Sequence, residues 1–267
     1  MRQSRAAAKR RTKSFILVCV LFTFITLVIG GVTYAFLHQP PGLDQQRFCP
    51  ANGPLGHVVL LVDKTDPLDF TQKQAFQSSL EQLVTGGVAP GYLLSVFVLG
   101  EDYKANAAPV FERCNPGDGA GASAFTSNPA HLKKRFEQDF RGPMQRVADE
   151  LQATKSAKYS PIFEMLEMTA INGFRKQNVN GPRRLIIVSD MLHNTPEYSM
   201  YHGNPDFERF HQSDYGRKMS TDFNGVDVEL QYLLNTPHLQ TRRHLKFWEG
   251  YFGAAGARIV AVRPLEG

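Results

Sequence analysis

An unbroken aliphatic run that leads into an acidic residue constrains the fold more than any other feature of the chain. Residues 58–62 read Val-Val-Leu-Leu-Val, and Asp63, Thr65, Asp66 and Pro67 follow. Apolar residues without alternation are typical of a strand buried on both faces, as in the middle of a parallel sheet. Open α/β sheets bind ligands at the carboxyl ends of such strands. The sequence therefore predicts a functional edge at Asp63 and Thr65.

The segment after this strand predicts a helix over residues 68–84, with Asp66 as its N-cap and Pro67 at its first position. This helix gives the acids an alternative role. In that alternative, Asp63 and Asp66 only organise the turn from the strand to the helix. The sequence leaves both roles open.

Five further segments have the apolar character of strands. They are residues 92–99, 109–113, 184–190, 226–232 and 258–263. The second of them is expected at an edge of the sheet because it contains a proline, which cannot donate a ladder hydrogen bond. The fourth alternates apolar and polar residues, which predicts a half-exposed strand.

Apolar residues at spacings of three and four predict three more helices. They cover residues 131–155, 161–174 and 239–252. The first is interrupted near Gly142-Pro143, and the second has Ser160 as N-cap and Pro161 at its first position. The polar and aromatic residues 195–223 are interpreted as an excursion above the sheet edge. The order β-α-β-β-α-α-β-β-α-β predicts an α/β fold, with a mainly parallel six-stranded sheet and helices on both faces.

The front of the chain has a different composition. Residues 1–14 carry six Lys and Arg side chains, and residues 15–37 contain no charged residue. A run of this length can cross a bilayer, which needs roughly 20 apolar residues. A cleaved signal peptide is the alternative, but its apolar region spans only about 7–15 residues, and Thr33-Tyr34-Ala35 is a poor cleavage site. The sequence therefore predicts an uncleaved signal-anchor, a single transmembrane helix over residues 15–37.

The positive charge of the chain is concentrated in this head. The net charge is +5, so the six charges of residues 1–14 leave −1 for the rest. No excess of basic charge remains for nucleic-acid binding. Because basic residues stay on the cytoplasmic side, we expect a cytoplasmic N-terminus and a periplasmic or extracellular C-terminal domain. Prolines and glycines predict an extended stalk over residues 38–56, followed by the exported domain over residues 57–267.

Two of the three cysteines fall in the part predicted to be exported. Cys49 and Cys114 lie where an oxidising compartment permits a disulfide, whereas Cys19 lies in the membrane run. We expect Cys49 and Cys114 to pair; two separate buried thiols are the alternative. No cysteine has the CxxC spacing of a redox or zinc site.

Oxygen-bearing side chains are expected to converge at the predicted edge. Asp63 and Thr65 follow one strand, Asp190 ends another, and Ser160 opens a helix between them. Carboxylates and hydroxyls suit Mg²⁺, Ca²⁺ or Mn²⁺ rather than the softer metals. These four residues are the predicted metal site.

Residues 56–264 resemble the von Willebrand factor A (vWA) domain family. Its members carry a DxSxS loop after the first strand, a distant threonine, and an aspartate that ends the fourth strand. Together these side chains form a metal-ion-dependent adhesion site. Here Asp63 is similar to the first acid, Thr65 to the first hydroxyl, Ser160 to the distant threonine and Asp190 to the last acid. The resemblance implies a vWA-like, Rossmann-type fold that binds a protein partner and catalyses nothing.

The chain departs from the family pattern at two positions. Pro67 stands where the second serine is expected, and Met191 stands where the family usually has glycine. One direct metal ligand is therefore missing. A degenerate cation site and a vWA-like fold without metal both remain open.

A metal-dependent, phosphatase-like hydrolase on a similar sheet is the alternative function. Haloacid-dehalogenase-type phosphatases need a second Asp two residues after the first, and Thr65 occupies that place. Ser189, Asp190 and His193 lie close in sequence, but the chain has no G-x-S-x-G elbow. Four further histidines lack the sequence spacing of metal ligands and are expected at the solvated surface. They are His202, His211, His238 and His244.

Overall fold

The computed structural model describes residues 2–37, 44, 46–120, 128–152 and 156–265. The chain divides into two compact units, Met1–Gly42 and Leu43–Gly267. The first contains one helix, α1 (Arg2–Leu37). Its segment Leu17–Tyr34 has a mean hydropathy of 2.3 and is long and apolar enough to cross a membrane. A signal sequence near an N-terminus would meet the same criterion.

A six-stranded sheet forms the centre of the second unit as the structure describes it, and it confirms the predicted fold class. Its strands are β1 (His57–Asp63), β2 (Leu93–Leu99), β3 (Phe111–Cys114), β4 (Arg183–Ser189), β5 (Val226–Leu233) and β6 (Arg258–Leu265). Their order across the sheet is β3-β2-β1-β4-β5-β6. Only β3 pairs antiparallel in these ladders, and it lies at an edge, as its proline-containing segment predicts.

Strand β1 lies between β2 and β4 and is buried along its whole length. Its aliphatic side chains serve two cores because successive side chains of a strand point to opposite faces. Val59 and Leu61 belong to one core and pack with residues such as Phe163. Val58 and Leu60 belong to the other core. The run without alternation is thus explained by a layer of helices on each face.

Seven further helices cover the sheet in the described residues. They are α2 (Phe70–Gln82), α3 (Pro129–Arg135), α4 (Gly142–Gln152), α5 (Ile162–Met168), α6 (Phe207–Gln212), α7 (Asp214–Lys218) and α8 (Arg242–Ala254). Three π-helical segments extend or join them: Leu83–Gly87, Phe136–Arg141 and Thr169–Arg175. The predicted excursion over residues 195–223 contains α6 and α7, which its sequence did not predict.

The predicted start of α2 is wrong by three residues. Asp69, not Asp66, is the N-cap, because the Asp69 carboxylate accepts from the Gln72 amide while the Gln72 side chain accepts from the Asp69 amide. This reciprocal capping box satisfies two backbone donors at once. Asp66 and Pro67 precede the helix and belong to the turn.

The predicted cap of α5 is also wrong. Pro161 occupies the N-cap position without a side-chain hydrogen bond, and the helix begins at Ile162. The Ser160 backbone instead exchanges two hydrogen bonds with Asn194, which leaves its hydroxyl to face Thr65. Ser160 is therefore a site residue by position rather than a helix cap.

The predicted interruption at Gly142-Pro143 does not end the helical path. Residues 129–152 remain helical, with the π-helical segment Phe136–Arg141 immediately before the glycine. Proline has no amide proton for the carbonyl four residues earlier. That carbonyl, on Asp139, accepts from the Arg113 guanidinium at 2.9 Å instead. Residues 153–155 of the predicted helix lie outside the described residues.

Cys49 and Cys114 form the expected disulfide, with their Cα atoms 4.9 Å apart. Both residues are buried. Of the predicted stalk, residues 38–43 and 45 lie outside the described residues. The rest belongs to the second unit, and the disulfide joins it to the end of β3.

Candidate functional site at the carboxyl edge of the sheet

The site lies where the strand order changes direction. From β1 the chain builds the sheet to one side through β2 and β3, and it then returns to place β4 on the other side. Ligands of open α/β sheets bind outside the carboxyl ends of the strands at such a switch point. Asp63 ends β1, and Asp190 directly follows β4.

Asp63 is the centre of the hydrogen-bond network. Its side chain is buried, and Oδ1 accepts from the Thr65 amide at 2.9 Å and from the Thr65 hydroxyl at 2.6 Å. Its Oδ2 accepts from the Ser189 hydroxyl at 2.7 Å. The Thr65 and Ser160 hydroxyl oxygens are 3.1 Å apart. Because Thr65 gives its single proton to Asp63, Ser160 acts as the donor in that pair.

Asp190 adds a second buried carboxylate to this network. Its Oδ1 accepts from the Leu192 amide at 2.8 Å. Its Oδ2 is buried and makes no hydrogen bond of good geometry with the described residues, although the Asn235 amide lies near enough to lower the pKa of Asp190. A buried oxygen without a firm partner is uncommon in folded proteins and calls for an explanation.

The two carboxylates are electrostatically unfavourable as ions. Burial raises the pKa of Asp63 to about 6, against the opposing hydrogen bonds from Thr65 and Ser189. Burial, followed by the negative charge of Asp63, raises the pKa of Asp190 well above its ordinary value. The pKa of the half-buried Asp66 is raised by burial too. The site therefore favours either a bound proton or a bound cation.

The structure brings all four predicted metal ligands to this edge. Two hydroxyls and the free oxygen of Asp190 are the donor types that Mg²⁺ or Ca²⁺ prefers. Both oxygens of Asp63 are already used in hydrogen bonds, and Pro67 has no hydroxyl to add. Over the described ranges, no three acidic, histidine or cysteine side chains are close enough together to hold a metal ion. A cation at this edge would be held by the two hydroxyls, one or two carboxylates and water.

Two neighbours of the acids are absent from the predicted site. The sequence indicates Ser189 only as a candidate nucleophile, yet its hydroxyl donates to Asp63. Tyr201 is 40% exposed, and its pKa is raised first by burial and then by the charges of Asp190, Asp66 and Asp63. A serine before the last acid of a strand was a usable signal. Nothing in the local sequence marked Tyr201.

Met191 adopts the backbone conformation that a glycine would adopt without strain. Its φ is +60°, and its side chain is fully buried. The Met191 amide donates to Ser189 Oγ, and its carbonyl accepts from the Trp248 indole at 3.0 Å. These contacts hold a left-handed backbone conformation, which costs a residue other than glycine about 1–2 kcal/mol. Met191 therefore combines a left-handed backbone conformation with a buried side chain.

Three histidines in the described part of the chain are buried: His57, His193 and His244. His244 was expected at the surface, but it is fully buried, with Nδ1 2.5 Å from the Tyr232 hydroxyl and Nε2 2.9 Å from the Met191 carbonyl. His193 is also buried, which lowers its pKa to about 3. In the described structure no hydrogen bond joins His193 to Ser189, so the two do not form a base and nucleophile pair.

In sequence comparisons, no family profile and no curated protein matches the chain. Its fold is similar to the VWA domain of SpRpn10, with 9% identity, a TM-score of 0.39, and coverage of 79% of this chain and 88% of that chain. The fold is also similar to a von Willebrand factor type A protein from Catenulispora acidiphila, with 12% identity and a TM-score of 0.42. That match covers 79% of this chain and 39% of the Catenulispora chain. An aerotolerance-related membrane protein from Bacteroides fragilis is similar with 11% identity and a TM-score of 0.34. That match covers 78% of this chain and 90% of the Bacteroides chain. The chain thus spans less than half of the Catenulispora chain. Likenesses of this strength concern the fold alone.

Proposed function

We propose that the second unit is a vWA-like protein-interaction module without catalytic activity, which binds a protein partner at the carboxyl edge of the sheet. The cluster of Asp63, Thr65, Ser160 and Asp190 takes a divalent cation, Mg²⁺ or else Ca²⁺ or Mn²⁺. One observation carries the cation site. Asp190 Oδ2 is buried without a firm partner beside a second buried carboxylate.

The physical reason is the cost of burying unpaired charge. Two neighbouring carboxylates repel each other in a dry environment, and a cation between them offsets both the repulsion and the lost hydration. A bound cation would also supply a positive charge at the surface of the edge. An acidic side chain of a partner could then complete its coordination. Tyr201, exposed beside the three acids, lies where such a partner would bind.

No observation favours the hydrolase alternative. Thr65 occupies the place of the second phosphatase acid, and its amide and hydroxyl both donate to Asp63. His193, the nearest candidate base in the sequence, contacts Tyr215 and Thr195 instead. A general base must lie within hydrogen-bond reach of the proton that it takes.

The test measures cation-dependent stability of the full chain in detergent micelles. Mg²⁺, Ca²⁺ or Mn²⁺ added to protein treated with EDTA should raise the melting temperature. Binding should stabilise the folded state by about 2.7 kcal/mol when the free cation concentration is a hundred times the dissociation constant. Asp190→Asn should abolish the gain. Asp149→Asn, the same change at an exposed site on α4, should keep it. A wild-type melting temperature indifferent to millimolar cation would refute the cation site.

We further propose that α1 anchors the chain in a membrane, with residues 1–14 in the cytoplasm and the second unit in the periplasm or outside the cell. The six positive charges before the apolar segment support this orientation, and so does the disulfide, since such bonds form in oxidising compartments. A reporter that is active only outside the cytoplasm should work when fused after Gly267, while a cytoplasmic reporter should be silent. The opposite pattern would reverse the topology. A mature N-terminus just after Ala35 would show a signal peptide instead.

A further inference from the structure

A polar pocket opens beside the site, with a volume of about 280 Å³. It is built by the segments that follow β2 and β4, by the residues around Pro161, and by α7. Four glutamates line it: Glu101, Glu164, Glu167 and Glu197. Drug-sized ligands occupy pockets of about 300–1,000 Å³, so this pocket suits a single side chain or a ligand of similar size.

Glu164 differs from the other three glutamates because it is buried, with 8% of its surface exposed. Its Oε1 accepts from the Tyr215 hydroxyl at 2.6 Å. Its Oε2 is buried and has no hydrogen-bond partner among the described residues. Burial raises the pKa of Glu164, against the opposing hydrogen bond from Tyr215. One carboxylate oxygen in the pocket wall therefore lacks a donor.

A fixed chain of hydrogen bonds holds this carboxylate in place. His193 Nδ1 accepts from the Ile162 amide at 3.1 Å, so the ring proton of this neutral histidine is on Nε2. Nε2 lies 3.1 Å from the Tyr215 oxygen, and the Tyr215 hydroxyl donates a hydrogen bond to Glu164. The Glu164 carboxylate is thus preorganised, with one oxygen committed to Tyr215 and the other buried without a hydrogen-bond partner among the described residues.

The pocket is negative, and its walls are suited to a flat cation. Lys218 is the single cation among the residues that line it. Its charge acts to lower the pKa of Glu164, although no ion pair in the described structure joins Lys218 to the four glutamates. The lining rings of Tyr103 and Tyr159 already carry the ammonium groups of Lys104 and Lys158 at 5.9 Å and 5.0 Å, outside the pocket lining. Aromatic rings attract cations through the negative charge of their faces. No three of the pocket's four glutamates form a group that could hold a metal ion in the described structure.

We propose that this pocket binds the guanidinium of an arginine on the partner protein, with Glu164 Oε2 as its buried acceptor. The inference rests on the proposed function because it assumes a protein partner, but it does not require the cation. A guanidinium is planar, always charged and donates as a fork, and it stacks on aromatic rings. It therefore satisfies the carboxylate and the tyrosine rings together, which a compact ammonium does less well.

The test uses the full chain in detergent micelles with EDTA, so that the cation cluster is empty. The probe is the peptide N-acetyl-Gly-Arg-Gly-amide, compared with the same peptide carrying neutral citrulline, and binding is measured by saturation-transfer NMR. We expect the citrulline peptide to bind at least tenfold more weakly. Glu164→Gln should weaken the arginine peptide by at least tenfold. Glu249→Gln, at an exposed position of α8, should leave it unchanged.

Equal affinity of the two peptides, or of wild type and Glu164→Gln, would overturn the inference. If Glu164→Gln shows no cooperative melting, the double variant Glu167→Gln/Glu197→Gln decides. It removes two charges of the rim, so an unchanged affinity overturns the inference and a several-fold loss supports it. Arginine binding without any stabilisation by cations would refute the cation site alone. Stabilisation by cations without arginine binding would refute the pocket alone.

Discussion

Asp63 combines a high degree of burial with a complete set of hydrogen bonds. Thr65 and Ser189 satisfy both of its oxygens, yet burial still raises its pKa to about 6. Among the described residues, no Lys or Arg forms an ion pair with Asp63 or Asp190. The hydrogen bonds thus position the carboxylate without neutralising it, and its protonation state should follow the pH when no cation is present.

The raised pKa of Asp63 predicts a specific pH dependence in EDTA. An acid whose folded pKa is raised from about 4 to about 6 contributes stability below pH 4, and this stability is lost as the pH rises through 6. Asp63→Asn keeps an acceptor for Thr65 and removes the titration. As the pH rises from about 5 to about 7.5, the melting temperature of Asp63→Asn should therefore rise relative to that of wild type. The corresponding change in the difference between their free energies of unfolding is about 1–2 kcal/mol. Asp149→Asn should show a flat difference. A flat difference for Asp63→Asn as well would contradict the raised pKa.

At the scale of the elements, the strands were predictable and the helix ends were not. The aliphatic runs in β1 and β4 indicate burial on both faces directly, so their positions agree with the prediction to within one or two residues. A helix start depends on which of several nearby caps closes its hydrogen bonds. Asp66 and Asp69 are both good N-caps by type, and the reciprocal bond with Gln72 favours Asp69.

The same limit applies to the site. Asp63, Thr65, Ser160 and Asp190 could be predicted because each stands near the end of an element or next to one. Ser189 reaches Asp63 only because β1 and β4 pair in the register that sets Val62 opposite Val188. Register is a property of the whole sheet, so a local pattern does not contain it.

The assignment of the cap to Asp69 can be tested at this scale. Asp69→Ala removes the acceptor of the Gln72 amide and should cost about 1 kcal/mol in the free energy of unfolding. Asp66→Ala should cost less or be stabilising, because Asp66 is a half-buried acid whose pKa is raised by burial. Thermal melts of both variants in the full chain decide between them. A larger loss for Asp66→Ala would restore it as the cap.

For the whole molecule, the disulfide links the chemistry of the compartment to the stability of the fold. The Cys49–Cys114 bond closes a loop of 65 residues and joins the segment before β1 to the edge strand β3. In the chain-entropy model, a loop of this length stabilises the folded state by about 4 kcal/mol, since it restricts the unfolded chain. A chain held in a reducing compartment would lose this contribution.

Replacing both cysteines measures that contribution in the full chain. Cys49→Ala/Cys114→Ala should lower the melting temperature by about 10 °C, since 1 kcal/mol corresponds to about 2–4 °C for a domain of this size. A reductant should shift wild type toward the double variant and leave the double variant unchanged. Cys19→Ser, which alters the cysteine on α1, should respond to reductant as wild type does. If reductant lowers the melting temperature of wild type and of the double variant equally, the effect comes from elsewhere in the chain. If reductant changes neither melting temperature, and the double variant melts at the same temperature as wild type, the bond contributes nothing to stability. It then only joins the edge strand to the segment before β1.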